Sequence, residues 1–396
     1  MASVKLLANR DKSLRHRHPW VFSGAIDTVS GDPGAGGIVD VIDARGVFLA
    51  RGYYNEQSRI RVRVLAWDER PIDEAFWRSR VQEAVARRVS LSGDTSTSAY
   101  RLVHAEADLI PGLVVDRYGD VVVAQLLTAG VERARDTILD ALAECTGARC
   151  IFERSDTASR AREGLVASVG CVRGDAAAAA GTAEILENGL RFRVNVGSGQ
   201  KTGFYLDQRP NRAAVAGIAR GRAVLDAFCH SGGFGIGALR AGASSVLFMD
   251  SSAPALELLR QNLAANGCDT GACEIQQADV FESLRALRDA GRRFDLIVLD
   301  PPKFASSRHQ VDKALRAYKD INLLAMELLA NGGALATFSC SQAVDAASFT
   351  MAVAWAGVDA RRDIQIVRRF GQGDDHPVLA AFPESEYLKG LLCRVL

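Results

Sequence analysis

The sequence lacks several features that would assign a chain to whole classes of protein. Its 396 residues contain no run of about 18 apolar residues, so we expect no membrane-spanning helix. The first residues, MASVKLLANRDKSLRHRH, hold no apolar segment long enough for a secretory signal, which favours a cytoplasmic protein. The formal net charge is only +1, which argues against a uniformly basic nucleic-acid-binding protein.

Paired cysteines are also absent. No CxxC and no other metal-ligating spacing occurs, so we expect no metal site. In a chain of this length, scattered cysteines indicate reduced thiols rather than a disulfide framework. The eight cysteines are Cys145, Cys150, Cys171, Cys229, Cys268, Cys273, Cys340 and Cys393. A cysteine taken alone is most often a small buried side chain.

Three stretches differ in their apolar pattern and predict three domains. Residues 1–72 are Gly-rich and strand-like, which is typical of a small β-barrel-like module. Residues 73–185 mix helical periodicity with a strand-turn-strand hairpin, which predicts a small α+β domain. In residues 186–396 strands alternate regularly with helices, which predicts an α/β fold with a doubly wound, mostly parallel sheet.

Four successive strands of the predicted sheet end in aspartate. These residues are Asp226, Asp250, Asp279 and Asp300. A single aspartate at such a point is more often a helix cap. Ligands of open α/β sheets bind beyond the carboxyl ends of the strands, so four aspartates after a Gly-rich first turn favour a nucleotide-cofactor site.

The first turn, FCHSGGFGIGA, narrows the choice of cofactor. GFGIGA matches the dinucleotide fingerprint formally, which leaves a nicotinamide oxidoreductase open, but it begins several residues after the strand ends. A long turn that carries an acidic residue suits a cationic ligand without phosphates, such as S-adenosylmethionine. We expect Asp226 near the methionine portion and Gly232 and Gly233 at a close backbone approach. Asp250 would hold the ribose, and Asp279 would accept from the adenine amine.

Several segments carry a family resemblance: GQKTGFYLDQR, VLDAFCHSGGF, FDLIVLDPPKF, GALATFSCS and YLKGLLCRV. Over essentially its whole length the chain resembles the class I methyltransferases of the ribosomal RNA large subunit methyltransferase I type, which make 5-methylcytosine. The resemblance implies a PUA domain at 1–72, an α+β domain at 73–185 and a Rossmann-like catalytic domain at 186–396. It also implies S-adenosylmethionine as cofactor and 23S ribosomal RNA, deproteinised or in an early assembly intermediate, as partner. The cofactor or active-site residues that it implies are Lys201, Phe204, Asp207 and Gln208. Phe228 and Asp300, at the ends of the first and fourth strands, are further candidates for cofactor binding. A homodimer stays open.

The segments DPPKF and FSCS indicate methylation at carbon. Exocyclic-amine methyltransferases usually have an aromatic residue directly after the two prolines, whereas this chain has Lys303 there. C5 of cytosine is a poor nucleophile, and a thiolate that attacks C6 makes C5 enamine-like. Cys340 follows the fifth strand, which should neighbour the fourth, so we expect it beside Asp300 and Lys303. The Lys303 ammonium would lower the thiol pKa.

Three questions stay open at this stage. An amine-directed methyltransferase (guanine N2 or adenine N6), in which Cys340 only packs against its neighbours, would share most of these motifs. A catalytically silent RNA-binding protein would share them too. His376 fits either the site or a structural turn. Two basic stretches predict contacts with the RNA backbone, and a solvated surface is the alternative. They contain Arg15 and Arg17, and Arg59, Arg61 and Arg63, the latter three spaced to share one face of a strand.

Overall fold

The structure, a computed structural model, describes residues 2–179, 182–197, 199, 201–305 and 307–396. The chain forms two compact units. The first unit comprises Met1–Glu187, Val194–Leu206 and Asp374–Ser385, and the second comprises Asn188–Arg193, Asp207–Gly373 and Glu386–Leu396. Within the described residues, no helix combines the length and the apolar character that crossing a membrane requires.

The first unit begins with a six-stranded sheet. Its strands are β1 (Ser3–Leu6), β2 (Trp20–Phe22), β3 (Ile26–Ser30), β4 (Ile38–Ile42), β5 (Phe48–Tyr54) and β6 (Ile60–Ala66), in the order β2-β6-β5-β4-β1-β3. A short helix, α1 (Lys12–Arg15), follows β1. Val4, Leu6, Val39, Val41 and Val62 form the centre of its core. In β1 and β4 alternating residues are buried, so one face of each strand packs into this core, as in the predicted β-rich module.

A five-stranded sheet with helices follows in the same unit. The strands are β7 (Ala99–His104), β8 (Leu113–Tyr118), β9 (Val121–Leu126), β10 (Cys150–Ser155) and β11 (Ser168–Gly174), in the order β11-β10-β9-β8-β7. The helices are α2 (Glu74–Ala86), α3 (Val89–Ser92), α4 (Ala129–Arg133), α5 (Arg135–Thr146) and α6 (Ala158–Ala161). Tyr118 pairs with Val121, so Gly119 and Asp120 form a two-residue hairpin loop at the predicted position. Strands β12 (Thr182–Glu187) and β13 (Leu190–Asn195) come next in the chain.

The second unit is built on a seven-stranded sheet. Its strands are β14 (Ala223–Ala227), β15 (Ser245–Asp250), β16 (Cys273–Gln277), β17 (Phe294–Leu299), β18 (Leu329–Ser339), β19 (Ile364–Phe370) and β20 (Lys389–Val395). The strand order is β16-β15-β14-β17-β18-β20-β19. Strands β14 to β18 pair in parallel, whereas β20 is antiparallel to both of its neighbours. This is the predicted Rossmann-like sheet, and its order reverses between β14 and β17, where open sheets form their ligand crevice.

Six helices accompany this sheet: α7 (Arg209–Ala216), α8 (Gly233–Arg240), α9 (Ala253–Ala265), α10 (Val280–Asp289), α11 (Val311–Leu328) and α12 (Ala346–Asp359). The central strand β17 is buried along most of its length, as a parallel strand covered on both faces should be. Tyr318, Ile321 and Ala325 of α11 are fully buried in the same core as Leu299 and Leu335 of the sheet. The core therefore lies directly behind the carboxyl ends of β17 and β18.

Candidate active site

The carboxyl ends of five parallel strands place the predicted site residues along one edge of the sheet. Asp226 is the penultimate residue of β14, and Asp250 is the last residue of β15. Asp279 follows β16 by two residues, while Asp300 and Cys340 come directly after β17 and β18. Because β17 and β18 are adjacent and parallel, Asp300 and Cys340 lie at neighbouring strand ends, as the sequence predicts.

The turn after β14 has an unusual backbone. Phe228 and His230 adopt left-handed φ angles of 62° and 48°, and Gly232 has φ of 87°. A Cβ atom on Gly232 would lie 2.3 Å from Leu259, and one on Gly233 would lie 2.8 Å from Arg212. A left-handed conformation costs free energy in residues other than glycine, and residues in such conformations are concentrated at ligand-binding sites. The turn therefore presents bare backbone at the point where the strand order reverses.

Asp250 holds this turn in place. Its Oδ2 accepts a hydrogen bond from the backbone N–H of His230 at 2.8 Å, and its Oδ1 accepts from Ser252 N–H at 2.9 Å. Each carboxylate oxygen can accept a further hydrogen bond. Asp250 is only half-buried, so the carboxylate keeps an open side at the strand end.

Asp226 occupies a different environment. It is 1% exposed, and its Oδ2 accepts a hydrogen bond from Gly235 N–H in the first turn of α8 at 2.8 Å. Burial raises the pKa of Asp226 to about 7. These contacts give Asp226 a role in attaching α8 to β14, and its expected proximity to the methionine portion of a cofactor stays a prediction.

Asp279 is exposed and begins α10. Its Oδ1 accepts a hydrogen bond from Glu282 N–H at 3.0 Å, which makes it the N-cap of that helix. The sequence offered this role as the alternative to a contact with adenine. The two roles use different parts of the carboxylate, so the expected adenine contact stays a prediction.

The segment before β14 divides between the two units. Lys201 and Phe204 belong to the first unit, where Lys201 lies 4.4 Å from the ring of Tyr205 and lines a cavity of about 580 Å³. Asp207 and Gln208 belong to the second unit and are buried. Asp207 Oδ2 accepts from the hydroxyl of Tyr387 at 2.7 Å, while Gln208 Oε1 accepts from Asn211. Gln200 of the same motif lies outside the described residues.

The two serines beside Cys340 connect β18 to the loop after β17. Ser341 Oγ accepts hydrogen bonds from the backbone N–H groups of Phe304 at 3.1 Å and Ala305 at 3.2 Å. Tyr318 OH lies 2.9 Å from Ser341 Oγ and accepts from Ser339 Oγ at 2.8 Å. All three hydroxyl-bearing residues are buried. Ser341 therefore fixes the DPPKF loop beside the cysteine, and Ser339 and Tyr318 support it.

The side chains of Phe304 and Lys303 in this loop lie in different environments. The Phe304 ring centroid lies 4.7 Å from that of Tyr318 and 6.0 Å from that of Phe281, so this ring packs into the core. Lys303 is exposed. Phe304, the aromatic residue of the loop, therefore packs against other rings behind the site.

Lys389 is a site residue that the sequence analysis missed. It is 8% exposed and lies opposite Ser339 in the pairing of β18 with β20. Its Nζ donates to the backbone oxygens of Ser341 at 2.8 Å and Val344 at 2.6 Å. A lysine at the head of the apolar strand KGLLCRV was the available signal, but only the pairing of β20 with β18 places it beside Cys340.

The expected arginine face needs one correction. Arg63 is 8% exposed and forms an ion pair with Glu163 at 2.9 Å, so it is an internal residue and not a surface contact. Arg59 is exposed and Arg61 is half-buried. Alternation along the strand predicted one shared face for the three arginines, whereas their exposure falls from Arg59 to Arg63.

The other basic stretch stays at the surface of the first unit. Arg15 is exposed and pairs with Asp11 at 2.6 Å and Asp43 at 3.1 Å. Arg17 is exposed, and its guanidinium lies 5.6 Å from the ring of Trp67. The ion pairs of Arg15 reduce the charge that it can offer to a phosphate, whereas Arg17 keeps its charge at the surface.

His376 is buried in the first unit. Its ring centroid lies 5.2 Å from that of His104, and it is 2% exposed. The adjacent Asp375 accepts a hydrogen bond from Arg101 N–H through Oδ2 and from Arg88 through its backbone oxygen. These contacts favour the structural interpretation of His376.

Comparison with known proteins agrees with this geometry. A family model for S-adenosylmethionine-dependent methyltransferases matches residues 168–377, and a model for PUA-like domains matches residues 4–67. A solved structure assigned as a SAM-dependent methyltransferase, from Streptococcus mutans, covers 100% of both chains with a TM-score of 0.86 at 21% identity. Another, assigned as a methyltransferase complexed with SAH, covers 100% of both chains with a TM-score of 0.87 at 21% identity.

Fold and site together define an S-adenosylmethionine-dependent methyltransferase with an N-terminal PUA-like domain. Two relatives carry the description further. Ribosomal RNA large subunit methyltransferase I of Shewanella denitrificans is 47% identical over 394 residues, and that of Photobacterium profundum is 46% identical over 395 residues. Each alignment covers 99% of both chains. The chain belongs to the ribosomal RNA large subunit methyltransferase I family, so the nicotinamide alternative is set aside.

Proposed function

We propose that this chain transfers a methyl group to C5 of a cytosine in 23S ribosomal RNA through a covalent adduct between Cys340 and C6. The observation that carries the proposal is the position of Cys340. It directly follows β18, beside the strand that ends at Asp300, and its neighbour Ser341 anchors the DPPKF loop. A cysteine held rigidly at a cofactor-binding edge suits nucleophilic catalysis.

The residues around the turn after β14 fit S-adenosylmethionine. Gly232 packs tightly against Leu259 and Gly233 against Arg212, so this turn has no room for side chains, and Asp250 offers carboxylate oxygens at the end of β15. Phe228 follows β14 and Asp279 follows β16, so they lie at the same edge of the sheet on either side of β15. When bound there, the cofactor would supply an electrophilic methyl group.

The proposed chemistry begins with the Cys340 thiolate. Its Sγ forms a bond to C6 of cytosine, and the C5–C6 double-bond electrons then make C5 a carbon nucleophile. After C5 has gained the methyl group, loss of the C5 proton restores the C5–C6 double bond and expels the sulfur. The thiolate returns to its initial form, so the residue acts catalytically.

Asp300 and Lys303 are the other proposed catalytic residues. Asp300 is half-buried at the end of β17, one strand away from Cys340, where it can contact the cytosine or the cofactor. Lys303 is exposed on the same loop. An amine-directed enzyme needs an aromatic side chain to stack the base, but Phe304 packs against Tyr318 in the core, which favours the carbon target.

The RNA partner is proposed from the family and the first unit. The relatives are named for the large-subunit ribosomal RNA, and residues 4–67 match a PUA-like domain. The exposed Arg17 and Arg59 are the candidates for backbone contacts in that domain. The target base must leave its stack to reach Cys340, which favours an unpaired or deproteinised segment as substrate.

Nucleoside analysis tests this proposal. Deproteinised 23S RNA is incubated with labelled S-adenosylmethionine, and the digested nucleosides are identified by mass spectrometry. We expect 5-methylcytidine from the wild type and a loss of at least about 1,000-fold from Cys340→Ala, since the nucleophile is gone. Cys145→Ala, a half-buried cysteine of α5, is the matched control and should keep full activity.

Three other results would contradict the proposal. Full activity of Cys340→Ala would exclude the covalent mechanism. Label on a guanine or adenine amine would identify the amine-directed alternative. Tight binding of RNA and S-adenosylhomocysteine without any turnover would identify a silent RNA-binding protein.

A further inference from the structure

Lys389 places a cation inside the core of the second unit. It is the first residue of β20, is 8% exposed, and pairs across the sheet with Ser339, the residue before Cys340. Moving an ammonium out of water costs several kcal/mol unless hydrogen bonds or charges compensate it. The remaining residues of the strand are mostly apolar, so the burial of this charge calls for a physical reason.

The hydrogen bonds of Lys389 all go to the segment that follows Cys340. Its Nζ donates to the backbone oxygens of Ser341 at 2.8 Å and of Val344 at 2.6 Å. An ammonium has three N–H donors, and these carbonyls engage two of them. Lys389 therefore fixes the turn in which Cys340 lies and keeps its charge within that turn.

The electrostatic neighbours of Lys389 include Cys340 itself. Burial lowers the pKa of Lys389, while negative charge on Cys340, Glu386 and Asp345 raises it and the Lys303 ammonium lowers it. Burial raises the pKa of Tyr318, and charge on Cys340 raises it further. Charge interactions therefore link the Cys340 thiol to Lys389 and to Tyr318, and they link Lys389 also to Lys303, Asp345 and Glu386. Of these two lysines, Lys303 is exposed to water and Lys389 is buried.

We propose that Lys389 is a positioning residue whose buried ammonium holds the Cys340 turn and stabilises Cys340 as a thiolate. A charge in a poorly solvated environment acts more strongly on its neighbour than an exposed charge at the same distance. A nearby ammonium lowers a thiol pKa in this way. The inference rests on the proposed function only in making Cys340 the nucleophile, because the acidity of the thiol can be measured without RNA.

Alkylation kinetics test the proposal directly. The full-length protein is treated with iodoacetamide at pH values from about 5.5 to about 10. This range includes the ordinary thiol pKa of about 8.5 and the lower value expected for Cys340. Modification of the Cys340 peptide is followed by mass spectrometry. The half-buried Cys145 and Cys273 serve as internal references, since burial raises the pKa of both. We expect Cys340 of the wild type to titrate at least about one unit below a free thiol, whose pKa is about 8.5.

Variants separate charge from hydrogen bonding. Lys389→Gln can still donate to the two carbonyls but has no charge, and Lys389→Met removes both properties. We expect both to raise the titration midpoint of Cys340 and to slow its alkylation at pH 7 by about tenfold, as a shift of one pKa unit implies. Lys389→Arg should restore most of the rate. The matched control is Lys319→Met, which replaces a half-buried lysine of α11 that is paired with Asp359.

Some outcomes would overturn the proposal. If wild-type Cys340 titrates at or above about 8.5, the lysine does not activate it, and this result needs no variant. A second such outcome starts from a Lys389→Gln variant with the melting temperature and the affinity for S-adenosylhomocysteine of the wild type. If its Cys340 is then also alkylated at the wild-type rate, the lysine is structural only. Failure of the methylation mechanism is distinguishable, because Cys340→Ala would then stay active while the low thiol pKa and its dependence on Lys389 persisted.

Discussion

At the scale of single residues, Asp226 shows how the fold sets the protonation of a carboxyl group. One oxygen accepts Gly235 N–H, and no group in the described part of the chain hydrogen bonds to Oδ1. Burial in these surroundings disfavours the charged form and raises the pKa from 3.8 to about 7. The folded protein therefore binds a proton at Asp226 under conditions in which the unfolded chain has released it.

This difference predicts a pH-dependent stability. Between about pH 4 and pH 7 the folded state holds more protons than the unfolded state, so the free energy of unfolding falls as pH rises through that window. Above pH 7 the loss is complete, at about 4 kcal/mol for a shift of this size. Asp226→Asn keeps an oxygen acceptor for Gly235 without a titrating group, so we expect a flatter curve in urea denaturation at successive pH values.

Asp295→Asn is the matched control for this experiment. Asp295 Oδ2 also accepts a backbone N–H, from Ala223, within the same sheet. The control should leave the slope between pH 4 and pH 7 as it is in the wild type. An unchanged slope in Asp226→Asn would show that the carboxyl is ionised in the folded protein.

Residue patterns predicted some parts of the site and could not predict others. Asp250, Asp300 and Cys340 follow from the rule that parallel strands end at one edge, since that rule needs only local sequence. Ser341 and Lys389 depend on partners brought together by the sheet: Ser341 meets Phe304, 37 positions earlier, and Lys389 follows Ser341 by 48 positions. Their roles require the pairing of strands that the local sequence does not encode.

At the scale of secondary structure elements, a glycine sets the distance between α8 and β15. A Cβ atom on Gly235 would lie 2.2 Å from the ring of Phe248 in β15, a fully buried side chain. On the same helix, a Cβ on Gly237 would meet Ala216 at 3.6 Å, an ordinary contact. The glycines of GFGIGA therefore allow close packing of helix and sheet, which is a role they also have in dinucleotide folds.

The two glycines give a matched pair of substitutions. Gly235→Ala should lower the free energy of unfolding by about 1–3 kcal/mol, because overpacking displaces the helix. It should also weaken binding of S-adenosylhomocysteine, measured by calorimetry, because the turn before α8 moves with the helix. Gly237→Ala should be neutral or stabilise the fold by up to about 1 kcal/mol through helix propensity. Equal behaviour of the two variants would contradict the packing argument.

The strands and helices of the second unit could largely be predicted from the sequence. The positions of the last two strands in the sheet could not. Alternating strands and helices predict the parallel strands β14 to β18, and Ser252, a residue type that favours helix starts, is the N-cap of α9. The last two strands give no such indication, because β20 inserts between β18 and β19 and runs antiparallel to both. That insertion brings Lys389 next to Ser339, so the missed element pairing explains the missed residue.

At the scale of the whole molecule, the near-neutral charge limits how RNA can be recognised. A chain with a net charge of +1 has no general attraction for phosphates, so affinity must come from local positive groups. In the first unit Arg17 and Arg59 are exposed, whereas Arg63 is paired with Glu163 inside the fold. The surface arginines should therefore contribute to RNA binding, whereas the internal arginine should contribute to the stability of the fold.

Salt dependence of RNA binding separates these contributions. Arg17→Ala and Arg59→Ala should weaken binding of deproteinised 23S RNA, and each should reduce the slope of log K against log salt by about 0.7–0.9. Their melting temperatures should stay close to that of the wild type. Arg63→Ala should instead destabilise the first unit by about 3–5 kcal/mol, since it leaves the buried Glu163 without its partner.

A surface arginine of the second unit provides the control. Arg260→Ala, on α9, removes an exposed charge paired with Glu257 and should leave both RNA binding and melting unchanged. If Arg17→Ala and Arg59→Ala bind RNA with the wild-type salt slope, those side chains do not contact phosphates and another surface carries the RNA.

The central claim is that Cys340 forms a covalent bond to C6 of the target cytosine, and trapping that bond tests it most directly. RNA in which 5-fluorocytidine replaces cytidine is incubated with the enzyme and S-adenosylmethionine, then examined on denaturing gels and by peptide mass mapping. Fluorine at C5 cannot leave as a proton does, so the adduct should persist. The account predicts methylated RNA crosslinked to the peptide that contains Cys340, and no crosslink in Cys340→Ala. Methylation at C5 of normal RNA with no trapped adduct, or an adduct on another cysteine, would contradict it.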